Sequence, residues 1–144
     1  MKFNKFWYGN KIKYSWINCS TSCRIDCSLC SRWKSNSQVP KIGAVEESGF
    51  SQSCVETGCY TPSVLTIKSG TIVTMTNTDT TGVHTFTSGT VDGFTPNPTG
   101  IFDSGVLMSG DSFEWQANLS QGPSGTIPYY CMLHTWMIGT ITVN

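Results

Sequence analysis

Histidine is almost missing from this chain, with two among 144 residues. Charge is sparse as well: 12% of residues are Asp, Glu, Lys or Arg, and no arginine follows residue 40. Long runs of Ala, Glu, Lys and Leu are absent, which argues against a helical bundle. No stretch is long and apolar enough for a transmembrane helix, and no apolar run of signal-peptide type follows the basic start. The shortage of histidine excludes most multinuclear metal chemistry, because several metal centres need more imidazoles than this chain has.

What is present is Thr, Ser, Gly and short β-branched runs, at a length that holds one domain with a real core. The zero net charge divides unevenly. Residues 1–40 hold seven basic residues against Asp26, a net +6, and residues 41–144 hold Lys41 and Lys68 against eight acids, a net −6. An acidic domain repels phosphate backbones, so nucleic-acid binding is not expected.

The character of the chain changes near Pro40. Residues 1–40 are basic, rich in Cys and Trp, and sustain neither helical nor strand periodicity, so they read as a poorly structured segment, and residues 41–144 read as the folded domain. Beyond Pro40, short strand-like runs alternate with Gly, Asn, Asp and Pro. Strands are predicted over 63–67, 71–77, 83–88, 102–107, 112–115, 126–131 and 139–143, with 89–100 as a loop because of Pro96 and Pro98. The series of about seven or eight strands predicts an all-β, Greek-key β-sandwich.

The seven cysteines fall into three groups. Cys19, Cys23, Cys27 and Cys30 have the spacing of a metal or iron–sulfur knot, but the barrel that radical enzymes with CxxxCxxC use is far larger than this chain. Cys54 and Cys59, in SCVETGCY, suit a disulfide in an oxidising compartment, with two free thiols as the alternative. Cys131 stands alone in YYCMLHTWM. Of the sequons, Asn18 and Asn118, only the second lies in the credible domain.

The segment YYCMLHTWM carries the chemistry. Cys131 ends one predicted strand and Gly139 begins the next, so a tight loop presents His134 and Met137. His84, in VHTFTS, reaches the same point if a sandwich joins the strand ends. One thiolate, two imidazoles and a thioether suit a metal cycling between Cu(I) and Cu(II), since soft sulfur favours the first and nitrogen the second. Separately, a buried Cys, a hydrogen-bonded His and a gap-filling Met are ordinary core residues, but both histidines of the chain join this one pattern. Zinc shares the Cys and His donors and is poorly served by a thioether, so copper is favoured, with Met137 rather than Met132 as axial ligand.

These residues resemble the cupredoxins of the plastocyanin and amicyanin type. The likeness spans roughly Cys54 to Asn144 and rests on VHTFTSG, IFDSGVLMSGDSFEW and GTIPYYCMLHTWMIGTITV. Two residues separate Cys131 from His134 and two separate His134 from Met137, as in the short amicyanin loop. The pair Cys54 and Cys59 is similar to cupredoxins of ammonia-oxidising archaea. The resemblance implies equatorial His84, Cys131 and His134, axial Met137, one copper per chain and a single-electron carrier with no catalytic residues. It implies His134 as the electron port, with Met132, Leu133 and Trp136 around it for docking. Transient redox proteins are the expected partners of a monomer in an extracytoplasmic space, with membrane association through an anchor not seen in this sequence. Copper storage or delivery, or kinship with multicopper oxidase and nitrite reductase domains, is the alternative. Where family members often carry Asn after the first histidine and Pro after the second, this chain has Thr85 and Thr135. Thr85 is expected to hydrogen-bond between the ligand loops. Residues 1–40 have no counterpart in the family, so a misread frame or start site is the expectation there.

Overall fold

The computed structural model describes residues 38–118 and 125–144. The cysteines at 19, 23, 27 and 30 and the sequon at Asn18 lie outside them. Among the described residues, nine strands make two sheets: β1 (Lys41–Ala44), β2 (Tyr60–Thr61), β3 (Val64–Ile67), β4 (Ile72–Thr76), β5 (Thr87–Asp92), β6 (Thr95–Asp103), β7 (Ser112–Gln116), β8 (Thr126–Tyr130) and β9 (Ile138–Val143). The sheet orders are β2-β1-β4-β7 and β3-β9-β8-β5-β6. The β1–β4 and β3–β9 pairs are parallel and the others antiparallel.

Strand alternation builds the core. In β4, Val73 and Met75 are fully buried while Ile72 is turned outward, as the period of two requires. Trp115 of β7 does the same from the neighbouring strand, and Ile127, Tyr129, Ile141 and Val143 answer from the second sheet. The sheets meet through aromatic rings, with Phe102 and Trp115 centroids 4.8 Å apart. Such tilted pairs add to simple area burial.

Two expectations need correction. Residues 89–100 are not a loop: β5 and β6 form a hairpin there, with Gly89 opposite Pro98 and Val91 opposite Pro96. β6 is the sheet edge, where a missing N–H costs no ladder bond, so its prolines are tolerated. Nor does His84 sit in a strand. It makes one isolated bridge with Leu107 and precedes β5. The early strands were not among those predicted: β2 has two residues, too few to show a period, and β1 follows Pro40 directly, where the character of the chain changes. Cys54 and Cys59 are disulfide-bonded, which ties the segment ahead of β2 to itself.

Candidate metal centre

The 131–137 segment is the turn of the β8–β9 hairpin. Tyr130 pairs with Ile138, and the neck closes with Cys131 N–H donating to the Met137 carbonyl at 3.1 Å and Met137 N–H to the His134 carbonyl at 2.9 Å. That closure brings Cys131 and Met137 to opposite sides of the hairpin mouth, both fully buried.

His84 arrives on a separate segment and is held from three sides. Its backbone exchanges hydrogen bonds with Leu107, at 3.2 and 2.8 Å. Next to it, Thr85 N–H points at the Cys131 sulfur at 3.4 Å, and Thr85 Oγ1 accepts from Met132 N–H at 2.8 Å. The threonine in this position therefore links the segments that carry His84 and Cys131 directly. Finally, the Tyr60 hydroxyl donates to the Thr85 carbonyl at 2.6 Å in the core.

The donor atoms of His84, Cys131 and His134 lie within 4.8 Å of one another. Cys131 Sγ is 4.0 Å from His84 Nδ1 and 3.7 Å from His134 Nδ1. Bonds of about 2.0 Å to nitrogen and 2.3 Å to thiolate sulfur around a shared ion give N···S separations of roughly 3.6–4.0 Å. The residues fit one metal, and a thiolate with two imidazoles beside a buried methionine selects copper. Electrostatics agree with thiolate ligation. Burial raises the Cys131 thiol, yet hydrogen bonds from His84 and from the backbone N–H groups of Thr85, Leu133 and His134 outweigh it and hold the thiol below its ordinary value. His134 is lowered by burial and by the neighbouring His84.

Of the surface residues singled out beside His134, Met132 and Leu133 are exposed, while His134 and Trp136 are half-buried. Trp136 packs on the His134 ring, with centroids 5.3 Å apart, and its Nε1 donates to the Ser48 carbonyl at 3.0 Å.

Four contributors went unread in the sequence. Ser48 is buried, and Gly49 lies so close to the site that a Cβ there would stand 2.8 Å from His134 Cε1 and 3.2 Å from His84 Cε1. The 46–50 segment is thus a strap across the histidine edges, and its sequence, EESGF, has no signature beyond a small residue. Tyr60 lies ahead of the first predicted strand and drew no expectation. Asp79 is the largest omission: its Oδ2 is 2.8 Å from His84 Nε2, with both side chains wholly buried. A spacing of five in TDTTGVH was the available signal. Burial would raise the Asp79 carboxyl, but hydrogen bonds from Thr81 and His84 hold it well below the usual carboxylate range.

No family model and no curated protein matches the chain. Solved structures do. A nitrite reductase (NirK) from Thermus scotoductus is 24% identical, with 73% of this chain matched to 22% of that one and a TM-score of 0.49. Amicyanin from Paracoccus versutus is 15% identical over 75% of this chain and 83% of that one, TM-score 0.48. A purple cupredoxin from Nitrosopumilus maritimus is 30% identical and superimposes with a TM-score of 0.57, covering 73% of this chain and 99% of that one. A likeness at that identity, running the full length of the relative, on a β-sandwich that gathers Cys, two His and a buried Met, places the chain in the cupredoxin family.

Proposed function

We propose that His84, Cys131, His134 and Met137 hold one copper ion and that the domain, residues 41–144, carries single electrons between redox proteins. The observation that carries the reading is the convergence of one thiolate and two imidazole donors within 4.8 Å, at the buried end of a β-sandwich. Copper at such a site supplies one-electron chemistry by moving between Cu(I) and Cu(II). The protein's part is to keep its donors still. Two hydrogen bonds across the hairpin neck, the Thr85 contacts to both Cys131 and Met132, and the Tyr60 anchor restrain both ligand segments, so little rearrangement opposes the electron.

His134 is the proposed port. It is the most exposed of the four proposed ligands, and Met132, Leu133, Phe50 and Met108 supply exposed apolar surface. Beside it lies a hollow of about 320 Å³ lined by Gly49, Phe50, Gly82, Val83 and Met108. An apolar rim around a half-buried imidazole favours brief contact with a partner over a long-lived complex. Both histidines are used in one cluster, which supports a carrier rather than an enzyme with a second metal centre. The Cys54–Cys59 disulfide supports an oxidising, extracytoplasmic location.

The test is spectroscopic and electrochemical. Cu(II) added to the purified chain should bind one to one, give an intense visible thiolate-to-copper band and show reversible one-electron voltammetry. A colourless or irreversible complex refutes the carrier.

A further inference from the structure

A buried carboxylate is expensive, so Asp79 needs a reason. It is wholly shielded from solvent, as is the imidazole it meets. Its two oxygens have different duties. Oδ1 accepts from Thr81 N–H at 2.8 Å and from Thr81 Oγ1 at 2.6 Å, while Oδ2 faces His84 Nε2 at 2.8 Å. Asp79 N–H is itself tied to Asn77 Oδ1 at 3.0 Å. Gly82 gives the pair its room: a Cβ there would stand 3.2 Å from Asp79 Oδ2 and 3.3 Å from His84 Nε2. The Ser48 hydroxyl is the only other group on that nitrogen among the described residues, at a long 3.5 Å.

A neutral imidazole carries one proton, and the carboxylate can only accept it. With Nε2–H donating to Asp79, the lone pair is left on Nδ1, the atom that faces Cys131. The other ligand imidazole is treated differently, since no carboxylate bonds His134 among the described residues. The two histidines of the site are therefore electronically unequal.

Building on the copper reading, we propose that Asp79 is a positioning residue: it fixes His84 in the Nε2–H tautomer and, by strengthening Nδ1 as a donor, biases the site toward Cu(II). Outer partners of this kind orient ligand imidazoles and raise their basicity, and their loss typically lowers metal affinity by about 10- to 100-fold. Because the fixed negative charge favours the more highly charged ion, Cu(II) affinity should suffer more than Cu(I) affinity.

Asp79→Asn separates this role from packing, for it keeps the shape. The two Thr81 donors hold the amide oxygen on their side, which turns the NH₂ toward His84 Nε2 and pushes the ring proton onto Nδ1. In the copper-free protein, ¹⁵N NMR of the imidazoles should show Nε2–H at His84 in the parent chain and a shift to Nδ1–H in Asp79→Asn. With copper, chelator competition should show Cu(II) affinity falling by about 10- to 100-fold and Cu(I) affinity by about tenfold less. For a one-electron couple, that tenfold difference raises the potential by about 59 mV. Thr81→Val, which removes one donor to Oδ1 and leaves the carboxylate a stronger acceptor, should keep Nε2–H at His84 and should not raise the potential. If Asp79→Asn does not fold, the parent chain decides alone by its tautomer, and Nδ1–H at His84 overturns the proposal. A parent chain with Nδ1–H at His84, or an Asp79→Asn chain with unaltered tautomer and affinities, also overturns it. Failure of the parent chain to bind copper would sink the copper reading instead, while the tautomer reversal would still uphold Asp79 as the residue that orients His84.

Discussion

Asn77 holds the loop that delivers both Asp79 and His84, and removing its side chain tests how that loop keeps its shape. The residue is fully buried at the end of β4. Its Nδ2 donates to the Gly82 and Leu107 carbonyls, each at 2.9 Å, and its Oδ1 accepts from Asp79 N–H at 3.0 Å. One amide thus pins the start, middle and far wall of the 77–84 loop. Asn77→Ala leaves three backbone groups without these partners, and at a net of about 0.5–1.5 kcal/mol per hydrogen bond the loss is about 3 kcal/mol. Against a total stability of about 5–15 kcal/mol, that is a large fraction, and it corresponds to a fall in Tm on the order of 10 °C for a domain of this size. The assay is urea unfolding of the copper-free protein in chelator, because bound metal would add its own stabilisation by mass action. The midpoint should fall with the slope unchanged. Asn77→Asp is the sharper companion: it keeps the acceptor for Asp79 N–H and replaces the donating amide with a carboxylate facing two carbonyls, so at neutral pH it should cost at least as much. A loss below about 0.5 kcal/mol for Asn77→Ala, the range of an ordinary surface change, would refute the assignment of loop shape to this amide.

Other outcomes follow from the same contacts. Cys131→Ser should abolish the visible copper band. The Cys54→Ser, Cys59→Ser double variant should keep the band and lose about 2 kcal/mol in unfolding, the loop-entropy value for so short a ring; loss of colour there would tie the disulfide to the site. Gly49→Val should force the 46–50 strap off the imidazole edges and speed copper extraction by a chelator roughly tenfold, as disturbed ligand surroundings do; an unchanged extraction rate would show the strap to be irrelevant. Tyr60 is raised by burial and by Cys131 and Tyr129 nearby, and Tyr129 by burial, so both stay neutral in the folded protein. Their contribution to stability is full below the ordinary tyrosine value of about 10 and declines as pH rises above it. Alkaline titration of copper-free protein should show the phenolate absorbance of these two residues only together with unfolding.

The sequence disclosed the site more fully than the frame around it, and the reason is physical. Cys131, His134 and Met137 share one hairpin turn, so their geometry is local and their spacing is visible in the text. His84 was identifiable because the chain has only two histidines, although the segment that bears it proved to be a bridge to Leu107 and not a strand. In β4, Val73 and Met75 alternate with less buried neighbours, and the period of two is visible in the text. Pro96 and Pro98 misled, because their tolerance depends on β6 lying at a sheet edge, a property of the whole topology that no window of residues contains.

Asp79 and the 46–50 strap were illegible for a deeper reason. An aspartate in a run of Asp, Thr and Gly reads as solvated turn material, and only burial converts it into a partner for an imidazole. That burial is a joint product of distant parts: Asn77 bends the loop, Gly82 leaves the space, and Ser48 and Gly49, about thirty positions upstream, lie against the histidine. The ligands themselves need no such cooperation to be recognised, since their chemistry is written in their types. The residues around a donor atom are generic types made specific by position, so chains with the same Cys, His, His and Met can differ in how strongly each imidazole donates, and under the proposal above the contact of Asp79 with His84 is one source of such a difference.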